Sequence, residues 1–165
     1  MRTNLLYSEY VTVTEDLDSA LKKCFVNHLV IYNYGLNLLY HDPEMTFNSL
    51  KRSATVYIQQ KNITPVLDLA IYNELYYQFK KFKRNIRVQK LVTAIQYFTF
   101  LLKGYQCKCL EISEDRTTIT FTGLSGVMQL TTPLPELNEE DVIYLNLSYS
   151  NQEDRYKLSL HLSTI

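Results

Sequence analysis

Tryptophan is absent from this chain, glycine and proline are scarce at four residues each, and cysteine occurs three times. Cys24, Cys107 and Cys109 cannot make a disulfide framework, so the sequence reads as that of a protein kept reduced in the cytoplasm. On that reading the sequons at Asn62 and Asn146 are uninformative. No apolar stretch follows Arg2 as a signal peptide requires. No run approaches the roughly 18–20 apolar residues of a membrane span, and the longest candidate, Tyr97 to Leu102, is strand-sized. There is no glycine-rich phosphate loop, nucleophile elbow or Cys-x-x-Cys, which removes the commonest nucleotide-binding, hydrolase and zinc readings. Repeats and low-complexity segments are also missing. What is abundant is tyrosine, at fourteen residues.

A hydrophobic content of 46% over 165 residues is that of one folded domain, or of two small subdomains sharing a core. The net charge of zero conceals a division. Residues 1–110 hold fourteen basic and eight acidic side chains, a net of +6, whereas residues 111–165 hold three and nine, a net of −6. A basic front points to an anionic partner for that half, and neutralisation of one half by the other explains the same numbers.

Thr14 is placed to N-cap a helix, after a strand over Tyr7 to Thr14 and before Glu15 and Asp16. Leu17, Leu21, Cys24 or Phe25, His28, Tyr32, Leu36 and Leu39 then recur at three- and four-residue steps, and Asp42-Pro43 ends the helix. A second helix is predicted over Thr46 to Gln60, with Phe47, Leu50, Ala54 and Ile58 as its buried stripe. A third begins near Pro65, with Leu67, Ile71, Leu75, Phe79, Phe82 and Ile86 on a core face about 120° wide. From residue 95 the pattern is that of strands: Tyr97 to Leu102, Gln106 to Ile112, Thr117 to Thr122, Gly126 to Leu130, Val142 to Tyr149 and Tyr156 to Leu162. The order predicts an α+β fold, a small β-barrel or curled antiparallel sheet with a three-helix insertion after the first strand. The boundaries are 1–14 and 95–165 for the barrel and 15–94 for the inserted helical subdomain.

Catalytic signals are poor. Cys107 and Cys109 would share a strand face and reach a metal only with the distant His161, so they read as core residues. His28 reads as a packed, hydrogen-bonded histidine, and Asp16, Asp18 and Glu139 to Asp141 as helix-start and turn carboxylates. The sequence therefore predicts a non-enzyme, with no catalytic residue, metal or cofactor and no small-molecule substrate. The stronger signal is the run Lys80 to Lys90, which holds six of the seventeen lysines and arginines. On a helix, Tyr72, Tyr76, Lys80, Lys83, Arg87 and Lys90 fall within an arc of about 80° beside the core face. Lysine and arginine neutralise phosphates and tyrosine stacks on bases, so Tyr72, Tyr76, Lys80, Lys81, Lys83, Arg84, Arg87 and Lys90 form the candidate nucleic-acid surface, with Lys51 and Arg52 as a second point. The alternative is a solvated helix end, where lysines favour the dipole.

The first strand followed by a helix carrying Leu29-Val30-Ile31-Tyr32-Asn33-Tyr34-Gly35-Leu36 resembles the opening of the transposon-encoded TnpB proteins, RNA-guided nucleases related to the type V CRISPR effectors. Gln78-Phe79-Lys80-Lys81-Phe82-Lys83-Arg84 is similar to that family's lysine–phenylalanine helix. Thr118 to Leu130 is similar to its strand turn, and Val142 to Tyr149 with Tyr156 to Leu162 to the hairpin before its nuclease domain. The family's signature arginine is replaced by His28 or a neighbour, and the proline of the strand turn is lost. The resemblance implies a wedge barrel with an inserted recognition domain that grips structured RNA or an RNA–DNA complex. It also implies that the nuclease domain with its carboxylates lies outside this chain, and hence no cleavage by it alone. The expectation is a non-catalytic regulatory or accessory RNA- or DNA-binding protein. The alternative is a phage or mobile-element inhibitor, a protein-interaction module docking on a host nucleoprotein machine or nuclease without binding nucleic acid. One half of a split nuclease is a third reading. None involves a membrane.

Overall fold

The computed structural model describes residues 2–61, 79–80, 82–84 and 97–164. In chain order they form β1 (Arg2–Val13), α1 (Glu15–His41), α2 (Phe47–Gln60), β2 (Tyr97–Lys103), β3 (Leu110–Ile112), β4 (Thr118–Phe121), β5 (Met128–Leu130), β6 (Val142–Ser150) and β7 (Arg155–Thr164). Phe79, Lys80 and residues 82–84 are helical as well. The fold is α+β, with the helical block after the first strand. No helix among the described residues is long and apolar enough to cross a membrane.

Seven strands make one sheet in the order β2-β6-β7-β1-β5-β4-β3, every neighbouring pair antiparallel. β2 and β4 are five steps apart in that order, about 24 Å on a flat sheet. Yet the rings of Phe100 on β2 and Phe121 on β4 lie 6.0 Å apart. The sheet is therefore curled so that its ends share one core, with β2 and β3 remaining as its two ends.

Period-two alternation builds that core. Phe98, Phe100 and Leu102 on β2, Ile143, Leu145 and Leu147 on β6, and Tyr156, Leu158 and Leu160 on β7 all point inward and are buried. The first half of α1 fills the curl, with Leu17, Leu21, Cys24 and Phe25 joining the same cluster. Phe25 stacks on Phe98 at 4.6 Å. At 1.5 Å per residue the 27-residue α1 is about 40 Å long and outruns the sheet. Its second half builds a separate core, in which Tyr32, Leu36 and Leu39 meet Leu50 of α2 and Phe82. Ile31 packs with Ala54 and Ile58. The core positions predicted on the first two helices are thus buried, Phe47 only in part, as are Phe82 and, in part, Phe79. Leu67, Ile71, Leu75 and Ile86 lie outside the described residues.

Three local expectations are corrected. β1 starts at Arg2 rather than Tyr7, because a register shift between Leu5 and Tyr7 interrupts the alternation that would have revealed it. β3 starts at Leu110 rather than Gln106, because the Cys109 N–H turns to Cys107 Sγ at 3.4 Å. Thr14 occupies the N-cap position of α1 without capping it, since its hydroxyl accepts from Val127 N–H at 3.1 Å instead.

Candidate nucleic-acid interface

α2 is opened by Thr46, whose hydroxyl accepts the Ser49 N–H at 3.2 Å. Its fourteen residues include no aspartate or glutamate. With Leu50, Ala54 and Ile58 turned into the cores, Lys51 and Arg52 are exposed. The ring of Phe47, one turn before Lys51, lies 5.7 Å from that of Phe79, and Tyr40 meets Phe82 edge-on at 5.2 Å. These contacts seat the helical residues 79–80 and 82–84 on α1 and α2 by their phenylalanines. Lys80, Lys83 and Arg84 are then left exposed, so five of the expected cations emerge from adjoining turns of two neighbouring helices.

Lys83 is held in place from two sides. Lys83 Nζ donates to the Pro43 carbonyl in the turn between α1 and α2, and sits 5.3 Å from the Phe79 ring. Tyr72, Tyr76, Lys81, Arg87 and Lys90 lie outside the described residues. A stacked pair that sequence spacing did not single out stands elsewhere in the block: Tyr34 and Tyr57 lie 4.0 Å apart at 11°, with Lys61 Nζ 5.8 Å from the Tyr57 ring.

The chain around these cations has no carboxylate side chain for a long distance. From Leu75 to Leu110 there are eight lysines and arginines and no aspartate or glutamate. Counter-charge is concentrated in the loops beyond β3, where Lys103 pairs with Glu140 at 3.2 Å and Arg116 with Glu136 at 3.8 Å. Glu136 and Glu140 are almost fully exposed, so those pairs are weak and the acidic surface remains acidic.

The outward face of the sheet is a second surface that sequence reasoning missed. Tyr97, Ser148, Lys157 and Tyr10 form one lateral row across β2, β6, β7 and β1. Tyr97 and Tyr10 are exposed, and the Arg155 guanidinium and Lys157 Nζ lie 4.5 and 5.9 Å from the Tyr10 ring. The signal was in the outward positions of the alternating strands, which hold the same mixture of tyrosine and cations as the helical run.

Cys107 and Cys109 stand just before β3, while His161 on β7 pairs with Tyr144 and Leu5. Among the described residues no three histidine, cysteine or acidic side chains are grouped to hold a metal ion. Asp18 accepts from Lys22 Nζ at 3.1 Å and from the Tyr156 hydroxyl at 2.8 Å, which makes it structural. His28 is buried at 1% exposure where the two cores meet, stacked on Phe98 at 5.3 Å and 7°. Contrary to expectation, neither of its ring nitrogens has a hydrogen-bond partner among the described residues. Burial pushes its pKa down to about 4, only partly offset by the nearby Tyr97 backbone.

No protein-family model matches the chain, and no curated protein matches it.

Proposed function

We propose that this chain is a non-catalytic nucleic-acid-binding protein whose helical block contacts the phosphates of structured RNA or an RNA–DNA complex. The observation that carries this reading is the exposure of Lys80 and Arg84 on helical residues whose Phe79 and Phe82 pack on α1 and an acid-free α2, within a stretch of sequence from Leu75 to Leu110 that holds eight basic residues and no carboxylate side chain. Phosphate binding needs cations that solvent can reach, and Lys51, Arg52, Lys80 and Arg84 are exposed. On the helical spacing of the sequence, Tyr72 and Tyr76 would supply apolar faces for unpaired bases. The TnpB-like resemblance supports the same reading, with the sheet as the wedge and the helical block as the recognition part. The direct test is binding of a fluorescent single-stranded RNA to the wild type and to an Arg52→Ala, Lys80→Ala, Arg84→Ala triple variant. Loss of binding in the triple variant supports the proposal, and equal binding refutes it.

The acidic loops favour a second reading, that of a protein-interaction module of the inhibitor type. Glu136, Glu139, Glu140 and Glu153 are all exposed and would repel phosphate. Purification from the native cell separates the two readings. RNA in the preparation supports the first, and a stoichiometric protein partner without nucleic acid supports the second.

A further inference from the structure

We propose that Cys107 and Cys109 form a thiol–disulfide exchange site, with Cys107 as the attacking sulfur and Cys109 as the resolving one. The proposal is independent of the nucleic-acid reading and begins with the place where the β3–β4 ladder stops. Leu110 pairs with Phe121, so Cys109 and Thr122 would be the next partners. Thr122 keeps its side of that pairing, its N–H donating to the Cys109 carbonyl at 2.9 Å and its hydroxyl to the Lys108 carbonyl at 3.0 Å. The Cys109 N–H is directed instead at Cys107 Sγ, at 3.4 Å. Two carbonyls are thus held toward β4 while an amide faces the sulfur, an arrangement that favours a sulfur anion.

The surroundings suit the two roles. Cys107 is half-buried and so open to a small reagent, whereas Cys109 is buried at 4% exposure and shielded from one. Residues two apart in an extended strand are separated by about 6.6–7.2 Å, at the upper edge of what a disulfide spans. The chain bends at Lys108 and Cys109, which shortens that distance. The Cys109 thiol and the amides of Cys109 and Leu110 bring the Cys107 thiol down to about 6, against burial, which raises it. Of the charged neighbours in sequence, Lys108 and Glu111 are both exposed. Cys24 shows the contrast: burial pushes its thiol up to about 11 despite Lys23, leaving it inert.

The co-reactant is a low-molecular-weight disulfide, RSSR. The Cys107 thiolate attacks one of its sulfurs, giving a mixed disulfide and releasing RS⁻. The Cys109 thiol passes its proton to RS⁻ and attacks Cys107 Sγ. The Cys107–Cys109 disulfide forms and the second RS⁻ leaves, taking up the proton that Cys107 had lost on ionising. The protein is oxidised by two electrons and RSSR is reduced to two RSH.

The experiment is iodoacetamide alkylation of the folded chain across about pH 5–9, followed by peptide mapping. Cys107 should titrate with a midpoint near 6 and, at pH 6, react about tenfold faster than free cysteine, the thiolate gain being offset by lower nucleophilicity. A midpoint near that of a free thiol, about 8.5, overturns the proposal. Treatment with glutathione disulfide should then remove two hydrogens from the wild type, while Cys109→Ser and Cys109→Ala stop at a glutathione adduct on Cys107. A wild type that also stops at the adduct overturns the resolving role, and because it needs no variant this result does not depend on how the substitutions fold.

Discussion

Thr14 and Val127, 113 residues apart in sequence, bind each other twice: Thr14 N–H donates to the Val127 carbonyl and Val127 N–H to the Thr14 hydroxyl, both at 3.1 Å. The clasp joins the start of α1 to the turn before β5 and so fixes where the helix enters the curled sheet. It requires Gly126. That residue has φ +92°, and a Cβ there would overlap Thr14 Oγ1 and Asp16 Oδ1 and come within 2.9 Å of Leu17 Cβ. Gly126→Ala should therefore cost about 2–4 kcal/mol, from strained backbone and overpacking together. Thermal unfolding should show it as a fall of roughly 5–15 °C, and an unchanged midpoint would mean that the turn can move away from α1 without cost.

His28 makes stability depend on pH. Its folded-state pKa of about 4 is below the ordinary value of 6.5, so the unfolded chain binds the proton more readily. The stabilising contribution is complete above about pH 6.5 and is lost as the pH falls toward 4, at up to about 1.4 kcal/mol per unit. Urea unfolding at stepped pH should show the wild type losing stability relative to His28→Phe as the pH falls from about 6.5 toward 4. Parallel curves would show that His28 does not titrate on unfolding.

Phe82 tests whether the two cores are separate. It is fully buried among Tyr32, Leu36, Leu39 and Leu50, away from the sheet cluster. Phe82→Ala should cost about 3–5 kcal/mol locally. Hydrogen exchange should accelerate in α2 and the second half of α1 while β6 and β7 keep their protection. Simultaneous loss of protection in the strands would show that the long α1 makes the cores one cooperative unit.

Lys83 and Arg84 are adjacent and both exposed, but they should behave differently. Lys83 ties its helical turn to Pro43 and lies over Phe79, so Lys83→Ala should lower stability by about 0.5–1 kcal/mol. Arg84→Ala should stay within about 0.5 kcal/mol of the wild type in the same urea titration.

Most of the architecture was legible because it is written locally. The three- and four-residue spacing along α1 and the inward apolar positions of β2, β6 and β7 are short-range patterns. That the sheet curls was expected from the run of short strands, but which strands meet across the curl was not legible, since the approach of Phe100 to Phe121 depends on the order in which seven strands pair. Neither was the late start of β3, which depends on a sulfur taking an amide away from a ladder. At the candidate interface, composition alone picked out Lys51, Arg52, Lys80 and Arg84. The tether on Lys83 was hidden, because its acceptor lies forty residues away in a turn. The outward row of Tyr10, Tyr97 and Lys157 was hidden as well, because strands that are distant in sequence assemble it.

The central claim is that the cations of the helical block neutralise phosphates, and the salt dependence of RNA affinity tests it most directly. With six side chains on the phosphates of a single strand, log affinity should fall against log salt with a slope of about −4, and the slope should flatten in the Arg52→Ala, Lys80→Ala, Arg84→Ala variant. A slope near zero, or one that the triple substitution leaves unchanged, would contradict it.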